Sequence, residues 1–564
     1  MLTVKKRSGQ IVDFNFGKIE KAIRAAFEDP NIQVNKQENL DKIIKHLEGW
    51  FDNYEGEQPI DVESIQDLVE RVLMIFGEYS VAKSYILYRE KHRETRDEAE
   101  QNIQFIEHFI ESDNTANATI DDNSNVSNHN IAVLNAEIHK ENNQKTNYRL
   151  LENELRTLYP EFDYKQMMQD FNSIAYLHDS SSQIGMPYCV AITMYPFLLN
   201  GIKSVGGLSA KPESLESFCG IFINMVFAIA SQFKGAVATP GFLLAMNWFC
   251  EKEWGTDYYQ HLDKIVSFGK KERSIEKQIL QYFQQITYSI NQPAVARGGQ
   301  SVFWNISIFD KTFYDTMYSD FIFPDGTQTH WESFNVLQKM YLHWLNQERL
   351  KCILTFPVVS VALIYKNHTF ADPELFEYTC QEYSEGNSFF TYINDSPESL
   401  SSCCRLSSKI SKPQFNFTNG QIGEMTGSKN VITLNLNRIV QDHSKIVNSR
   451  IESGLYKTET ESFKAYLINI LDRIYKYQTA YNSCLMRLYD AGLLTAYSAG
   501  FIDLKKQYLT IGVNGLNQAA EFLGLKCNKN DDYKSFCNLI FSTIKEQNQL
   551  HKTKDIMFNT EFTP

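Results

Sequence analysis

Apolar and polar positions alternate on both sides of Ser8-Gly9 in "LTVKKRSGQIVDF". Val4 precedes the turn and Ile11, Val12 and Phe14 come after it, which predicts a β-hairpin. The period then changes: Ile19, Ala22, Ile23, Ala26 and Phe27 recur at helical spacing. A second amphipathic helix is predicted in "DVESIQDLVERVLMIFG". Its face is Ile65, Leu68, Val69, Val72, Leu73 and Phe76, with Asp61 as N-cap and Gly77 at the end. A third helix runs through "SVAKSYILYREKHRE". These residues read as one small unit, a hairpin closed by helices.

Residues 111–147 are crowded with Asn, Asp and Ser, the composition of a linker, although "NIAVLNAEIHK" within them is suited to packing on the next domain. The expected boundary lies near residue 100, giving domains 1–100 and 101–564. Beyond it, short apolar strands ("CVAITM", "CILTFPVVSVALIY", "NVITLNLNRIV") alternate with long helical stretches ("FINMVFAIASQF", "VLQKMYLHWLNQERL", "FKAYLINILDRIYKYQTAYNSCLMRLYDAG"). This mixed α/β texture without an internal repeat predicts one large α/β barrel or several α/β layers.

Composition narrows the function classes. The 564 residues are 43% hydrophobic and carry a net charge of −13, which argues against binding polymeric nucleic acid and leaves small nucleotides open. The N-terminus has no apolar h-region and no apolar run is long enough to span a bilayer, so a soluble, cytoplasmic chain with reduced thiols is expected. None of the ten cysteines has CxxC spacing, so no metal site is read.

Candidate chemistry starts at "SPESLSSCCRLSS". Adjacent Cys403 and Cys404 suit neither an unstrained mutual disulfide nor a metal knuckle; either one is a small buried apolar residue, or one performs chemistry. Lys6, Arg7 and Lys18 beside the glycine turn suit phosphates, or are solvated surface cations. Gly512, Asn514 and Gly515 in "TIGVNGLNQAA" link a strand to a helix whose amides suit a phosphate, or make a turn without a ligand; Gly298 and Gly299 in "RGGQ" are similar. Asn435 and Asn437 in "LNLNRI" suit hydrogen bonds to a sugar or to strand ends. His178 and Asp179 in "LHDSS" line a pocket or stabilise the fold.

"VKKRSGQIVDF…KI…AI", closed by "IQDLVERVL…G…VAKSYILYREK", resembles the ATP-cone, the nucleotide-sensing module of many ribonucleotide reductases. By motif position the resemblance puts Val4, Lys6, Arg7, Lys18 and Lys91 around ATP or dATP. Seven stretches then resemble, in order, the anaerobic (class III) ribonucleoside-triphosphate reductase: "YLHDSSSQIGMPYCVAITMYPFLLNG", "SQFKGAVATPGFL", "ARGGQSVFWNISIFD", "LTFPVV", "FFTYINDSPESLSSCCRL", "VITLNLNRI" and "LTIGVNGLNQAAEFLG". This resemblance implies an α/β fold, with the cone followed by a glycyl-radical-enzyme-type barrel of ten strands. It implies conversion of ribonucleoside triphosphates to deoxyribonucleoside triphosphates under ATP/dATP control.

The family removes the ribose 2′-hydroxyl by a radical route in which a glycyl radical oxidises a cysteine to a thiyl. Sulfur suits the step because an S–H bond is comparable in strength to the ribose C–H bond. Carried over by motif, Cys404 is the thiyl residue, with Cys403 in play, and Cys189 is the second pocket cysteine. Asn435, Asn437, Asn514 and Gly515 are substrate-binding candidates. The implied partners are a homodimer mate and a radical-SAM activating enzyme.

The sequence departs from the family where it reaches "DIMFNTEFTP": the four-cysteine zinc site and the Arg-Val-x-Gly-Tyr radical loop are absent. The expectation is a barrel truncated at its C-terminus and inactive unaided, either a fragment or a split enzyme with a complementing chain. The rival reading is a catalytically inert nucleotide-binding regulatory protein that kept the cone. A third is a formate-lyase relative, against which the cone and "SCCRL" speak.

Overall fold

Val4 pairs with Val12 across the hairpin of β1 (Thr3–Lys5) and β2 (Ile11–Asp13). Gly9 turns it with φ +80°, a left-handed conformation that favours glycine. The computed structural model describes residues 2–6, 9–29, 38–111, 131–182, 185–269, 271–292, 301–386, 389–397, 401–402, 406–407 and 424–562. The chain divides into two units, Met1–Asp113 and Asn114–Pro564.

In the first unit the hairpin is followed by α1 (Phe16–Phe27), α2 (Glu38–Asp52), β3 (Ile60–Asp61), α3 (Val62–Ile75) and α4 (Tyr79–Glu111). β3 lies parallel to β1, in the order β2-β1-β3. The Asp61 carboxylate accepts from the Glu63 amide at 2.8 Å and caps α3, and Gly77 follows it with φ +75°. Helix α2 adds to the elements expected from periodicity; it buries Leu40, Ile43, Ile44, Leu47 and Phe51. Its apolar face joins Ile23, Phe27, Val69, Leu73 and Val81 in one core. Residue 100 lies inside α4.

The second unit begins with α5 (Ile131–Leu158), α6 (Tyr164–Ser173), β4 (Ala175–Leu177), β5 (Cys189–Ala191), α7 (Tyr195–Asn200), α8 (Leu215–Ala230), β6 (Val237–Ala238) and α9 (Phe242–Trp254). It continues with β7 (Ile265–Phe268), β8 (Lys271–Ser274), α10 (Ile275–Ile290), β9 (Trp304–Phe309), α11 (Lys311–Tyr318), α12 (Trp331–Arg349), β10 (Val358–Lys366), β11 (Thr369–Phe370), α13 (Pro373–Ser384) and β12 (Phe390–Asn394). Then come β13 (Ser401–Ser402), β14 (Leu406–Ser407), β15 (Thr426–Asn435), α14 (Leu436–Ser444), α15 (Val447–Glu452), α16 (Glu459–Asp490) and α17 (Thr495–Ser498). The last elements are β16 (Gln507–Asn514), α18 (Leu516–Phe522), α19 (Asp531–His551) and β17 (Met557–Phe562).

Ten strands form one sheet in the order β11-β10-β9-β6-β5-β15-β16-β17, with β12 also beside β10 and β4 beside β15. Strands β5, β6, β9, β10 and β12 are mutually parallel, as are β15, β16 and β17, and the two sets meet antiparallel at β5 and β15. Among the described residues the sheet is open: β17 does not pair with β11 or β12.

Alternation along the strands gives the sheet two unlike faces. One face sends Val190, Val237, Trp304, Ile306, Val359 and Val361 under α8, α9, α10 and α12, in a core with Phe222, Phe242, Ile286 and Leu342. The same face of the other set sends Ile432, Leu434, Leu509, Ile511 and Val513 under α16 and α19. Each such fully buried large side chain contributes roughly 1.5–3 kcal/mol. The opposite face carries small and polar side chains, among them Cys189, Ala236, Asn305, Ser307, Ser360, Ser428 and Thr510. A face of that kind cannot close on itself as an apolar core; it suits a polar lumen.

Helix α6 is pinned to α16 by Asp170. Its buried carboxylate accepts from Arg473 Nε at 2.7 Å and Nη2 at 3.0 Å, and from the Tyr477 hydroxyl at 2.7 Å. No helix among the described residues is long and apolar enough to cross a membrane.

Candidate active site

Cys189 opens β5 opposite Ser428 and is 3% exposed. Its sulfur accepts from the Ala236 amide at 3.3 Å and packs with Ala236, Tyr188 and Phe303, on the helix-free face. Two glycines leave it room. A Cβ on Gly235 would lie 2.5 Å from the sulfur, and one on Gly427 would lie 2.1 Å from the Cys189 carbonyl oxygen. Gln507 Nε2 donates to that same oxygen at 3.2 Å.

A polar row crosses the face from there. The Ser428 and Thr510 hydroxyls are 2.8 Å apart, and Thr510 donates to Asn559 Oδ1 at 2.7 Å. Further along, His178 Nε2 lies 2.8 Å from the Thr433 hydroxyl, with its ring against Tyr176 and Tyr188. Burial holds the His178 pKa down at about 4, so the imidazole is neutral and offers hydrogen bonds rather than charge. Gly512 makes space for Thr433, whose hydroxyl would lie 2.2 Å from a Cβ there. Glu561, paired with Gly512 across β16–β17 and 7% exposed, brings a carboxylate to this face. Sequence reasoning missed it; the signal is the alternation of "MFNTEF", in which Phe558 turns to the core and Asn559 and Glu561 turn away.

The four substrate-binding candidates converge at the C-terminal ends of β15 and β16, around a cavity of about 630 Å³ that Tyr533 and Phe562 also line. Asn435 caps α14, its Oδ1 accepting from the Arg438 amide at 3.1 Å. Asn437 lies in the first turn of α14 rather than in a strand, because the strand ends at Asn435; its Oδ1 accepts from Gln441 Nε2 at 3.0 Å. Asn514 ends β16, and Gly515 enters α18 with φ +70°. A Cβ on Gly515 would also come 3.3 Å from Asn437 Cβ, so conformation and space both call for glycine. Among the described residues no lysine or arginine lines this cavity.

Cys403, Cys404, Gly298, Gly299 and Arg7 lie outside the described residues. The chain flanking the thiol pair does not. β13 and β14 form a short antiparallel hairpin, Ser401 opposite Ser407 and Ser402 opposite Leu406, and β13 lies against β9 and β10. Both of those strands have in-plane neighbours and bury one side under helices, so the hairpin crosses their helix-free face. In the first unit Val4 is buried against Phe51, Ile60 and Ile65. Lys6 and Lys18 are exposed, with Lys6 Nζ donating to Gln10 Oε1 at 3.1 Å. The backbone of Lys91 lies in α4. No four-cysteine cluster occurs among the described residues, and no glycine of the sequence stands in an Arg-Val-x-Gly-Tyr context. These residues do not fit the zinc and glycyl radical that the resemblance implies.

Just before β15, Glu424 is 5% exposed and accepts from the Tyr318 hydroxyl at 2.8 Å. Burial pushes its pKa up to about 7, against the opposing pull of Tyr318, Thr193 and Lys506. The folded chain therefore favours the neutral acid. That advantage is complete below the ordinary value of 4.5 and is lost as pH rises to about 7. Glu424→Gln is expected to be more stable than the parent at pH 8 than at pH 4.5, by a difference on the order of 3 kcal/mol. Urea midpoints at the two pH values measure it; a pH-independent difference contradicts the assignment.

Residues 122–564 match the family model described as anaerobic ribonucleoside-triphosphate reductase, and residues 2–94 match the ATP cone domain. The anaerobic ribonucleotide reductase from Thermotoga maritima with citrate in the active site is 25% identical, with a TM-score of 0.64, over 82% of this chain and 77% of that one. The same enzyme in complex with dATP and CTP is 26% identical, with a TM-score of 0.63, over 77% and 69%. The ribonucleoside-diphosphate reductase subunit alpha of Chlamydia trachomatis is 36% identical over 107 residues, 18% of this chain. The chain spans about a tenth of the length of this curated relative, covering 10% of it. The chain belongs to the anaerobic ribonucleoside-triphosphate reductase family and carries an ATP-cone domain at its N-terminal side.

Proposed function

We propose that the chain binds ribonucleoside triphosphates on the helix-free face of its sheet and reduces them to deoxyribonucleoside triphosphates, with ATP and dATP acting on the cone. The observation that carries this reading is the company of Cys189. It is a buried thiol on a polar face, and the hairpin flanking Cys403 and Cys404 crosses the same face at β9. β9 is two strands from β5, roughly 10 Å across the sheet. A ribose fits a gap of that size.

In this reading Cys404, or Cys403, exchanges a hydrogen atom with the ribose 3′ position. Cys189 supplies one reducing equivalent as a hydrogen atom when the 2′-hydroxyl leaves as water, and an external reductant, formate or a thiol protein, supplies the second. The amides around Asn514 and Gly515 are the candidates for phosphate oxygens, since no cationic side chain among the described residues lines that cavity. Asn435 and Asn437, roughly 20 Å along β15 from the level of Cys189, line the same cavity rather than touch the ribose. No step is routed through zinc or a glycyl radical. A homodimer mate, a radical-SAM activating enzyme and a complementing chain are the partners this reading calls for, in the cytoplasm.

Two experiments test it. Gly235→Ala adds a methyl group 2.5 Å from the Cys189 sulfur and displaces it. Turnover of the activated enzyme is expected to fall about 100-fold, as for a misplacement of about 1 Å. ATP binding to the cone should not change, and unchanged turnover removes Cys189 from the chemistry. Separately, calorimetry with ATP on a Lys6→Ala, Lys18→Ala double variant should show at least tenfold weaker binding, since two charge-assisted contacts are each worth about 1.5–3 kcal/mol. Equal affinity moves the nucleotide elsewhere.

A further inference from the structure

On the helix-covered side of the sheet, α12 and α13 bring together side chains that have no part in the nucleotide chemistry. His343 Nδ1 lies 2.9 Å from Glu382 Oε1, and Asn346 Nδ2 donates to Glu382 Oε2 at 2.8 Å. Glu385, just past the last turn of α13, accepts from Gln347 Nε2 at 3.2 Å. One ligand atom from each of His343, Glu382 and Glu385 falls within 4.8 Å of the others. The Glu382 side chain is 1% exposed and that of His343 is 52% exposed, so the trio is anchored inside and open outside. A second feature stands at the same spot. Asn346 is 1% exposed, its amide nitrogen donates to Glu382, and its Oδ1 has no hydrogen-bond partner among the described residues.

A buried carboxylate requires compensation by a cation or by full hydrogen bonding. Its side-chain contacts among the described residues are the Asn346 amide, the Tyr378 hydroxyl and one imidazole, which supplies charge only when protonated, and a second carboxylate stands beside them. A divalent cation satisfies both carboxylates while the imidazole is neutral. We propose that His343, Glu382 and Glu385 bind one divalent first-row transition-metal ion, with water in its remaining position and Asn346 orienting Glu382. One nitrogen and two oxygen ligands suit Zn²⁺ and its spectroscopic substitute Co²⁺. The ion ties the end of α13 to α12, on the stretch of chain that leads through β12 to the paired thiols.

The test is titration of the metal-free full-length chain with Co²⁺, followed by visible absorption, and with Zn²⁺, followed by equilibrium dialysis. The expected result is one site with the d–d bands of nitrogen and oxygen ligands and without thiolate charge-transfer bands. His343→Ala and Glu385→Gln, both at accessible positions, should weaken it at least tenfold and abolish a Zn²⁺-dependent rise in the thermal midpoint. Thiolate bands alone, equal binding in both variants, or no binding at the site overturns the proposal.

Discussion

Cys404→Ser, made in the enzyme reconstituted with the complementing chain that carries the radical, is expected to eliminate deoxynucleotide formation while leaving the stored radical signal of that assembly unchanged. Bond strengths set this expectation. A thiol S–H bond is close to the ribose 3′ C–H bond, so a hydrogen atom passes in both directions with little cost; a serine O–H bond is far stronger and its oxygen is not oxidised in its place. The loss should exceed about 1,000-fold, equivalent to more than about 4 kcal/mol on the barrier. Cys403→Ser serves as the internal comparison, because it keeps the hairpin context set by Ser401 opposite Ser407. Full activity in Cys404→Ser together with none in Cys403→Ser transfers the role to the neighbouring sulfur. Activity in both variants ends the thiyl assignment altogether. Product assay and electron paramagnetic resonance on the same samples separate a lost reaction from a lost radical.

Asp170→Ala is expected to cost the fold about 3–5 kcal/mol, the usual consequence of leaving a buried charge without its partner. The carboxylate collects Arg473, bound through two nitrogens, and the Tyr477 hydroxyl, and it is 2% exposed. Removing it strands a partly buried guanidinium on α16 and releases α6 from the helix it packs on. Because α6 runs directly into β4, which pairs with β15, the damage reaches the strand that carries Thr433 and Asn435. Urea unfolding of the second unit measures the effect. An Arg473→Met, Asp170→Leu double variant should recover much of it, since well-packed apolar groups often replace a buried ion pair at little cost. A loss below about 1 kcal/mol in Asp170→Ala would show that the network contributes no more than a surface pair.

How far the fold is legible in the sequence depends on what kind of residue carries the signal. The cone hairpin and α3 follow directly from alternation, a glycine turn and an aspartate cap, all local effects. α2 carries the same kind of signal in Leu40, Ile43, Ile44, Leu47 and Phe51, at spacings of three and four, behind a polar lead-in. α5 is different. Its first half looks like linker because, apart from Leu134, what it buries is polar: Lys140 pairs with Glu137 at 2.7 Å, and Asn147, further along, donates to the Ser180 carbonyl at 2.5 Å. Hydrophobic periodicity cannot register a helix face whose burial is compensated by hydrogen bonds from distant segments.

The same limit applies to the candidate site. Asn435, Asn437, Asn514 and Gly515 stand in recognisable strand-to-helix turns, and the fold gathers them around one cavity. The demand for glycine at 235 is not legible, because it comes from a sulfur 46 positions away in the chain brought 2.5 Å from where a Cβ would sit. His343 and Glu382, 39 residues apart, form no spacing motif and meet only when α12 and α13 pack.

The most direct measurement is an experimental structure of the chain with a ribonucleoside triphosphate bound. The expected result is a ribose on the helix-free face of the sheet, with Cys189 on one side and the Cys404 or Cys403 sulfur roughly 3–3.5 Å from the sugar, as a reactive approach requires. A nucleotide seated elsewhere on the second unit, or paired thiols turned to bulk solvent with the sugar bound, would contradict it.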